Sequence, residues 1–340
     1  MKKLCFVVFL YGVKYQWYIP LYVYSINQAY PEYDVRIYIR EKLTEDVSSV
    51  LSELSFLKNY VVIDNIENDH RYSFPSFPET SPKHDLVERS IRSFRWLLYD
   101  EAFEQYHALY IGDIDIFIAK DKLDIYEQHL KHCEFLGVPY SNITRKWEKM
   151  RAWFPRRMCG DIRRYGFPEV FREVLNPRSH ILRISGLHFV IVRDYFEKVR
   201  PLIDDYKREL ELIAEKRSKK WNKCLFDDEA VLYDLISDAN FAIPEPVNFA
   251  GTGTSPSILP DVVPTNNYRP HHGLHLGIWR GRGAEKKYPA VVKSDVYREY
   301  YRQFCELRDI DINFRLLLEK ESDFIKNIIS NMDESMGKLL

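Results

Sequence analysis

The sequence predicts an α/β protein built on a mainly parallel sheet that helices cover on both faces. Three observations predict it. Short apolar runs alternate with segments of helical spacing through the first half of the chain. The runs are apolar at successive positions, as a strand buried on both faces requires. The 340 residues are 46% hydrophobic and 15% aromatic, enough to fill a substantial core.

In chain order, Leu4–Leu10 reads as a core strand. It imitates the start of a signal peptide, but the run is too short and lacks a small-residue cleavage site. Tyr18–Ala29 has helical spacing and ends before Pro31, and Asp34–Ile39 is a second strand. A polar helix from Thr44 to Lys58 precedes a third strand, Tyr60–Ile63. The Pro- and Ser-rich Ser73–Pro82 is a loop, and His84–Tyr106 is a long amphipathic helix. It feeds His107–Ile118, a buried strand that hands over to Asp113 and Asp115.

Cys133–Val138 reads as another strand, after which Ser141–His180 is irregular and rich in Arg, Trp and Pro. Ile181–Val192 is a strand, Asp194–Arg217 a helix and Asp227–Ser237 a shorter helix. Asn248–Arg282 is a Gly/Pro/His-rich loop region, too long for an idle connection. From Ser294 the tail is helical, with Tyr297, Tyr300, Tyr301 and Phe304 on one face.

Composition excludes several classes. Forty-nine Lys and Arg against fifty Asp and Glu leave a formal charge of −1, so no global footprint for nucleic acid exists. Cys5, Cys133, Cys159, Cys224 and Cys305 are scattered and odd in number, which fits reduced thiols in a cytosol. No run approaches the roughly 18 apolar residues of a membrane span. The basic stretch Lys216–Lys223 with Trp221 reads either as lysines at a helix C-terminus or as a peripheral dock on anionic lipid. There is no P-loop, no dinucleotide fingerprint and no hydrolase elbow.

The candidate chemistry centres on Asp113 and Asp115. Residues two apart on a strand point to one side, and the carboxyl ends of open α/β sheets are where ligands bind. Hard carboxylate oxygens there suit Mn²⁺ or Mg²⁺. Three further features converge on the pair. His271, His272 and His275 lie close together in a glycine-bearing loop that continues to Arg280 and Arg282. Imidazole can complete a metal site and guanidinium groups bind diphosphate oxygens. His275 is the first choice of ligand and His272 the second. Asp227, Asp228 and Glu229 open a helix, where acids complement the dipole, but three crowded carboxylates also raise a pKa and are often kept for function. Arg89, Arg92 and Arg95 form a basic ridge in the helix before the Asp strand; Arg92 or Arg95 could reach a phosphate or hold the Asp loop.

With these residues in view, the chain resembles nucleotide-sugar-dependent glycosyltransferases of the GT-A (Rossmann-like) fold, whose Asp-x-Asp coordinates Mn²⁺ bound to the donor diphosphate. The motif order is similar to that of retaining transferases including glycogenin and bacterial lipopolysaccharide galactosyl- and glucosyltransferases. Asp113 and Asp115 are followed by Ser185-Gly186 opening a strand, Asp227-Asp228-Glu229 opening a helix, and His275 with Gly277 and Arg280. No Asn precedes Ser185, Asp228 stands where the family has Gln, the His–Gly spacing is one shorter, and Arg280 replaces Lys. Asp228-Glu229 with Leu232 also resembles the Asp-Glu-x-x-Leu of blood-group-type retaining transferases, whose Glu is the catalytic carboxylate.

The resemblance implies a hexosyltransferase that uses Mn²⁺ or Mg²⁺ and acts on a saccharide or lipid-linked saccharide in surface polysaccharide synthesis. It implies a metal held by Asp113, Asp115 and His275, and a donor bound by Tyr11, Arg92, Arg95, Asp113, Gly186 and Arg280. It further implies an acceptor bordered by His188 and Trp153, and catalysis by Asp228 or Glu229 with retention. Residues 1–283 would form the catalytic domain, with 141–180 an acceptor-side insertion, and 284–340 a helical extension. The competing classes are a metal-dependent nucleotidyl- or phosphotransferase and a non-catalytic sugar-nucleotide-binding module.

Overall fold

The computed structural model describes residues 2–77, 85–146, 162–163, 166–168, 170–171, 182–221, 226–248 and 271–337. Trp147, Trp153 and most of the irregular region lie outside these residues. The elements begin with strand β1 (Lys2–Leu10), helix α1 (Ile19–Ala29), β2 (Asp34–Ile39), α2 (Glu45–Glu53), β3 (Tyr60–Ile63) and α3 (Asp85–Ser93). Next come β4 (Tyr106–Ile111), β5 (Ile116–Ile118), α4 (Ile125–Leu136), β6 (Tyr140–Ser141), β7 (Thr144–Lys146), β8 (Leu182–Ile184) and β9 (His188–Ile191). The chain continues with α5 (Val192–Val199), α6 (Ile203–Ala214), α7 (Asp228–Asp238), β10 (Val247–Asn248) and β11 (Gly273–His275), and then α8 (Asp295–Ile310), α9 (Ile312–Lys320) and α10 (Asp323–Met336).

The main sheet runs β3-β2-β1-β4-β9-β6. Its first four strands are parallel, β9 runs antiparallel to them, and β6, antiparallel to β9, returns to their direction. This is the mainly parallel class that the sequence predicted. Strand β1 explains why its run is continuous: Leu4, Phe6, Val8 and Leu10 enter one core, and Cys5, Val7 and Phe9 the other. Two smaller sheets join it, β10-β7-β8 and the antiparallel pair β5–β11.

The C-terminal helices share the first of those cores. Phe314 is fully buried, with ring centroids 5.1 Å from Tyr24 and 5.6 Å from Phe304, and Phe304 lies 5.0 Å from Phe117 of β5. The Tyr24 hydroxyl donates to Asp311 at 2.7 Å, and Asp311 also caps α9.

Several boundaries differ from the sequence reading. The expected strand His107–Ile118 is two strands, β4 and β5, in different sheets, with Asp113 and Asp115 in the turn between them, and the expected strand Ile181–Val192 is β8 and β9. The expected helix His84–Tyr106 stops at Ser93, passes through a tight turn at Phe94–Trp96, and restarts as a short turn at Glu101–Gln105. Asp100 breaks it, because its carboxylate accepts from Tyr38, Tyr72, Arg36 and the Ala102 amide. Cys133–Val138 is the end of α4, not a strand: Asp124 caps that helix, and Gly137 closes it in the left-handed conformation at φ 66°. The expected helix Asp194–Arg217 is two helices, with Pro201 in the turn between them.

In the basic stretch Lys216–Lys223, Trp221 is not an exposed interfacial side chain. Trp221 is buried, and its indole donates to Asp234 at 2.7 Å while Lys220 reaches Asp238. No described helix is long and apolar enough to cross a membrane.

Two outcomes follow from this packing. Phe314→Ala should lower stability by about 3–5 kcal/mol in urea unfolding; a loss below about 1 kcal/mol would mean that the helices do not share the core. Burial pushes the Asp234 carboxyl up from 3.8 to about 6. An acid with a raised folded pKa contributes stability at low pH and loses it as pH rises from the unfolded value through the folded one. Stability should therefore fall between about pH 4 and 6 on account of this residue. Asp234→Asn, which can still accept from Trp221, should remove that slope and stabilise the protein at neutral pH by about 1–2 kcal/mol. An unchanged slope in pH-dependent thermal unfolding refutes this.

Candidate active site

Strand β4 ends at Ile111, and the chain turns through Gly112, whose amide donates to Val7. Asp113 and Asp115 follow at the carboxyl edge of the parallel strands. Directly after them β5 pairs with β11, His275 opposite Ile116, and the Leu276 amide donates to the Asp115 carbonyl at 2.7 Å. That pairing carries the histidine loop to the Asp pair. One ligand atom each from Asp113, Asp115 and His275 lies within 4.8 Å of the others, and His275 Nε2 is 3.3 Å from Asp115 Oδ1. Gly277 makes the approach feasible, since a Cβ there would sit 2.2 Å from Asp115 Oδ2.

Asp115 is buried. Burial alone would raise its pKa, yet the charges of His275 and Arg280 hold it below the usual carboxylate range. Arg280 donates to Asp115 Oδ2 at 2.6 Å and lies over the Tyr15 ring at 5.1 Å. Its Nε donates to the Tyr18 hydroxyl at 3.3 Å. Burial, with Asp115 nearby, pushes that hydroxyl up to about 12.

A second set of acids meets the first through Arg95. Its guanidinium donates to Asp113 Oδ1 at 2.5 Å and to Asp228 at the start of α7, while the residue is 8% exposed. Burial opposes its charge, but Asp228 and Asp113 outweigh that and raise its pKa. The same helix and turn hold α7 in place, with Trp96 donating to the Asp228 carbonyl and Arg89 to the Phe226 carbonyl. Gly186 must lack a side chain, because a Cβ would lie 2.8 Å from Arg95 Nη2 and 3.8 Å from Glu229 Oε1.

The three consecutive acids do not repel one another as the sequence suggested. Each has its own cation: Asp227 takes Arg183 at 2.7 Å, Asp228 takes Arg95, and Glu229 takes Arg145. Burial would raise the Asp228 pKa, but Arg95 and Arg92 bring it below its ordinary value. Asp227 also caps α7 through the Ala230 amide. Arg145 and Arg183 face each other across the β7–β8 ladder. Like charges in that register are unfavourable, and the α7 acids offset them.

Tyr11 stands beside this cluster at the end of β1, its hydroxyl donating to the Glu88 carbonyl at 3.3 Å. Partial burial works against the Arg92 charge, but Asp228, Tyr11 and Asp113 raise its pKa.

Two expected residues sit elsewhere. His272, the second choice of metal ligand, is fully buried against Asp121 and His129 and does not join the Asp pair. His188 is fully buried between Trp96 and Tyr140, which removes it from the acceptor contacts expected of it. Its Nδ1 accepts from Asn142 at 2.9 Å, and burial with the Arg95 charge lowers its pKa to about 3. Trp153 lies outside the described residues. Arg145, Arg183 and Asn142 were missed. An arginine inside each of two short strand-like runs, with three acids elsewhere to match, was the available signal.

No family model matches the chain, and no curated protein matches its sequence. Solved structures of glycosyltransferases are similar to it. The WbbM bifunctional glycosyltransferase shares 15% identity at a TM-score of 0.37; the match covers 69% of this chain and 37% of that one, so this chain spans little more than a third of its length. The mannosyltransferase Ktr4p from S. cerevisiae shares 9% identity at a TM-score of 0.42, covering 78% of this chain and 79% of that one. The galactosyltransferase LgtC, in complex with donor and acceptor sugar analogs, shares 13% identity at 0.32, covering 68% and 70%.

Arg95→Met should strand the buried Asp228 carboxylate, remove a partner from the part-exposed Asp113, and cost about 3–5 kcal/mol of stability. A loss under about 1 kcal/mol in denaturant unfolding would show that neither acid depends on it.

Proposed function

We propose that this chain is a metal-dependent glycosyltransferase that moves a hexose from a nucleotide-sugar donor, a uridine diphosphate sugar being the first choice, to a saccharide or lipid-linked saccharide. The observation that carries the reading is the Asp113, Asp115 and His275 cluster lying one guanidinium away from Asp228, with Glu229 reaching the Gly186 turn on that guanidinium's other side. Two hard carboxylates with one imidazole fit Mn²⁺ or Mg²⁺, and the Gly277 cradle leaves no side chain in the way. Such an ion, when bound, stabilises the charge that builds on a leaving diphosphate.

The protein's own groups take the other roles. Arg280, half-exposed at the cluster's edge, reaches from Asp115 to the phosphate oxygens. Tyr11 offers its ring to the nucleobase, with Arg92 alongside. Arg95 and Gly186 shape the floor under the donor sugar. Glu229 is the carboxylate nearer solvent, its side chain 22% exposed against 9% for Asp228. It therefore faces the anomeric carbon, while Asp228 stays bound to Arg95. Retention follows the family that the motifs resemble. The scattered cysteines support a cytoplasmic setting, and surface polysaccharide synthesis is the matching pathway class.

The test is nucleotide release from UDP-, GDP- and CMP-sugars with Mn²⁺, wild type against Asp115→Ala. Release from one donor, lost in the variant, supports metal, class and donor together. Equal release by both proteins would sink the metal assignment, and turnover of nucleotides carrying no sugar would favour a nucleotidyl- or phosphotransferase. Glu229→Gln should leave donor binding intact and reduce transfer by at least about a hundredfold; unchanged transfer removes it from the mechanism.

A further inference from the structure

Behind the site runs a buried polar chain that the reaction does not use directly. Asp121, in the segment after β5, pairs with His272 Nδ1 and accepts from Tyr300 of α8 at 2.7 Å and from Gln128 at 3.1 Å. His272 Nε2 lies 2.8 Å from His129 Nε2 on α4, so the two rings share one proton between them. His129 Nδ1 is 2.6 Å from Ser141 Oγ, and His132 Nδ1 is 2.7 Å from the same oxygen. Asp121, His129, His132, Ser141 and His272 are all buried. Burying so many polar groups is unfavourable unless each is held by the next, so the chain fixes the elements it touches in one arrangement.

Its two ends are what matter. At one end the His272 carbonyl accepts from the Ala119 amide, and the next three residues form β11, ending in His275. His272 itself has a φ of 55°, so the backbone turns sharply at the point where the side chain is anchored. At the other end Ser141 is followed by Asn142, whose amide donates to the Ser185 carbonyl and to His188, each at 2.9 Å. Those contacts hold the turn that presents Gly186 beneath Arg95 and Glu229.

We propose that Asp121 and His272 are positioning residues: through the chain from His272 to Ser141 they lock the strand bearing His275 in register with the Gly186 turn, so that the metal ligand and the sugar-facing floor are set as one unit. This rests on the metal assignment made above. The chain contributes no ligand and touches no reacting atom. On the metal side the chain acts chiefly through the placement of His275, the one metal ligand carried on β11, and that makes it separable from general stability.

The test is Mn²⁺ binding by electron paramagnetic resonance, with Mn²⁺ alone, alongside thermal unfolding. His272→Asn suits the left-handed backbone but cannot span to both Asp121 and His129. It should weaken Mn²⁺ binding on the order of tenfold, and the same change in a His275→Ala background should weaken it no further. Additive losses in the double variant, or wild-type affinity in His272→Asn, overturn the proposal. Should His272→Asn fail to fold, Asp121→Asn, which keeps the side-chain shape, carries the same cycle with the same outcomes. If His275→Ala itself binds Mn²⁺ as the wild type does, the metal assignment falls. If only His275→Ala weakens binding, that assignment stands and the positioning role falls.

Discussion

Arg95 is a charge that the fold has closed in. A guanidinium taken out of water is tolerated only when carboxylates and hydrogen bonds replace the lost solvation. Here the replacements come from two elements far apart in the chain, Asp113 after β4 and Asp228 at the start of α7. If either withdraws, the buried guanidinium loses one of the two carboxylates that replace its solvation. The sheet edge and the acid-bearing helix are therefore fixed to each other by electrostatics as well as by apolar packing. Gly186 is a consequence, because the turn before β9 can pass under the guanidinium only if it carries no side chain there.

Where the fold is governed by local pattern, the sequence reveals it. β1, β2 and β4 carry continuous apolar runs, Leu4–Leu10, Ile37–Ile39 and Ala108–Ile111, because both of their faces are covered there, and that is visible in any single run. The break in the long helix before β4 was not visible. It depends on Asp100 meeting the hydroxyls of Tyr38 and Tyr72, residues 62 and 28 positions away. The end of α4 was misread because Cys133–Val138 is apolar enough for a strand, although the Asp124 cap and Gly137 marked a helix on either side.

The site divides the same way. Asp113 and Asp115 stand out because a strand ends on them, and His275 and Arg280 because their loop is unusual. What a lone side chain touches in three dimensions is not written in its neighbours. His272 and His275 look equivalent in sequence, yet strand pairing through β5 turns one to the Asp pair and the other into the interior. Trp221 looks like an interfacial anchor and is instead a core residue bonded to Asp234. The partners of the crowded acids, Arg145 and Arg183, come from a small sheet whose ladder no periodicity announces.

The charge pattern bears on how such a site would be used. Asp113, Asp115, Asp227, Asp228 and Glu229 are bonded to Arg95, Arg280, Arg183 and Arg145, and Arg92 stands close by. Acids and guanidiniums are thus nearly balanced before anything binds. A divalent cation entering alone competes with Arg280 for Asp115, so it binds, but more weakly than one that arrives with a diphosphate. A cation arriving with a diphosphate brings the anion those guanidiniums need. On the proposed reading Arg280, exposed at the rim, is the group free to change partners, whereas Arg95 is enclosed and keeps both of its acids. The two arginines then divide the work, one holding the site's geometry and the other following the ligand.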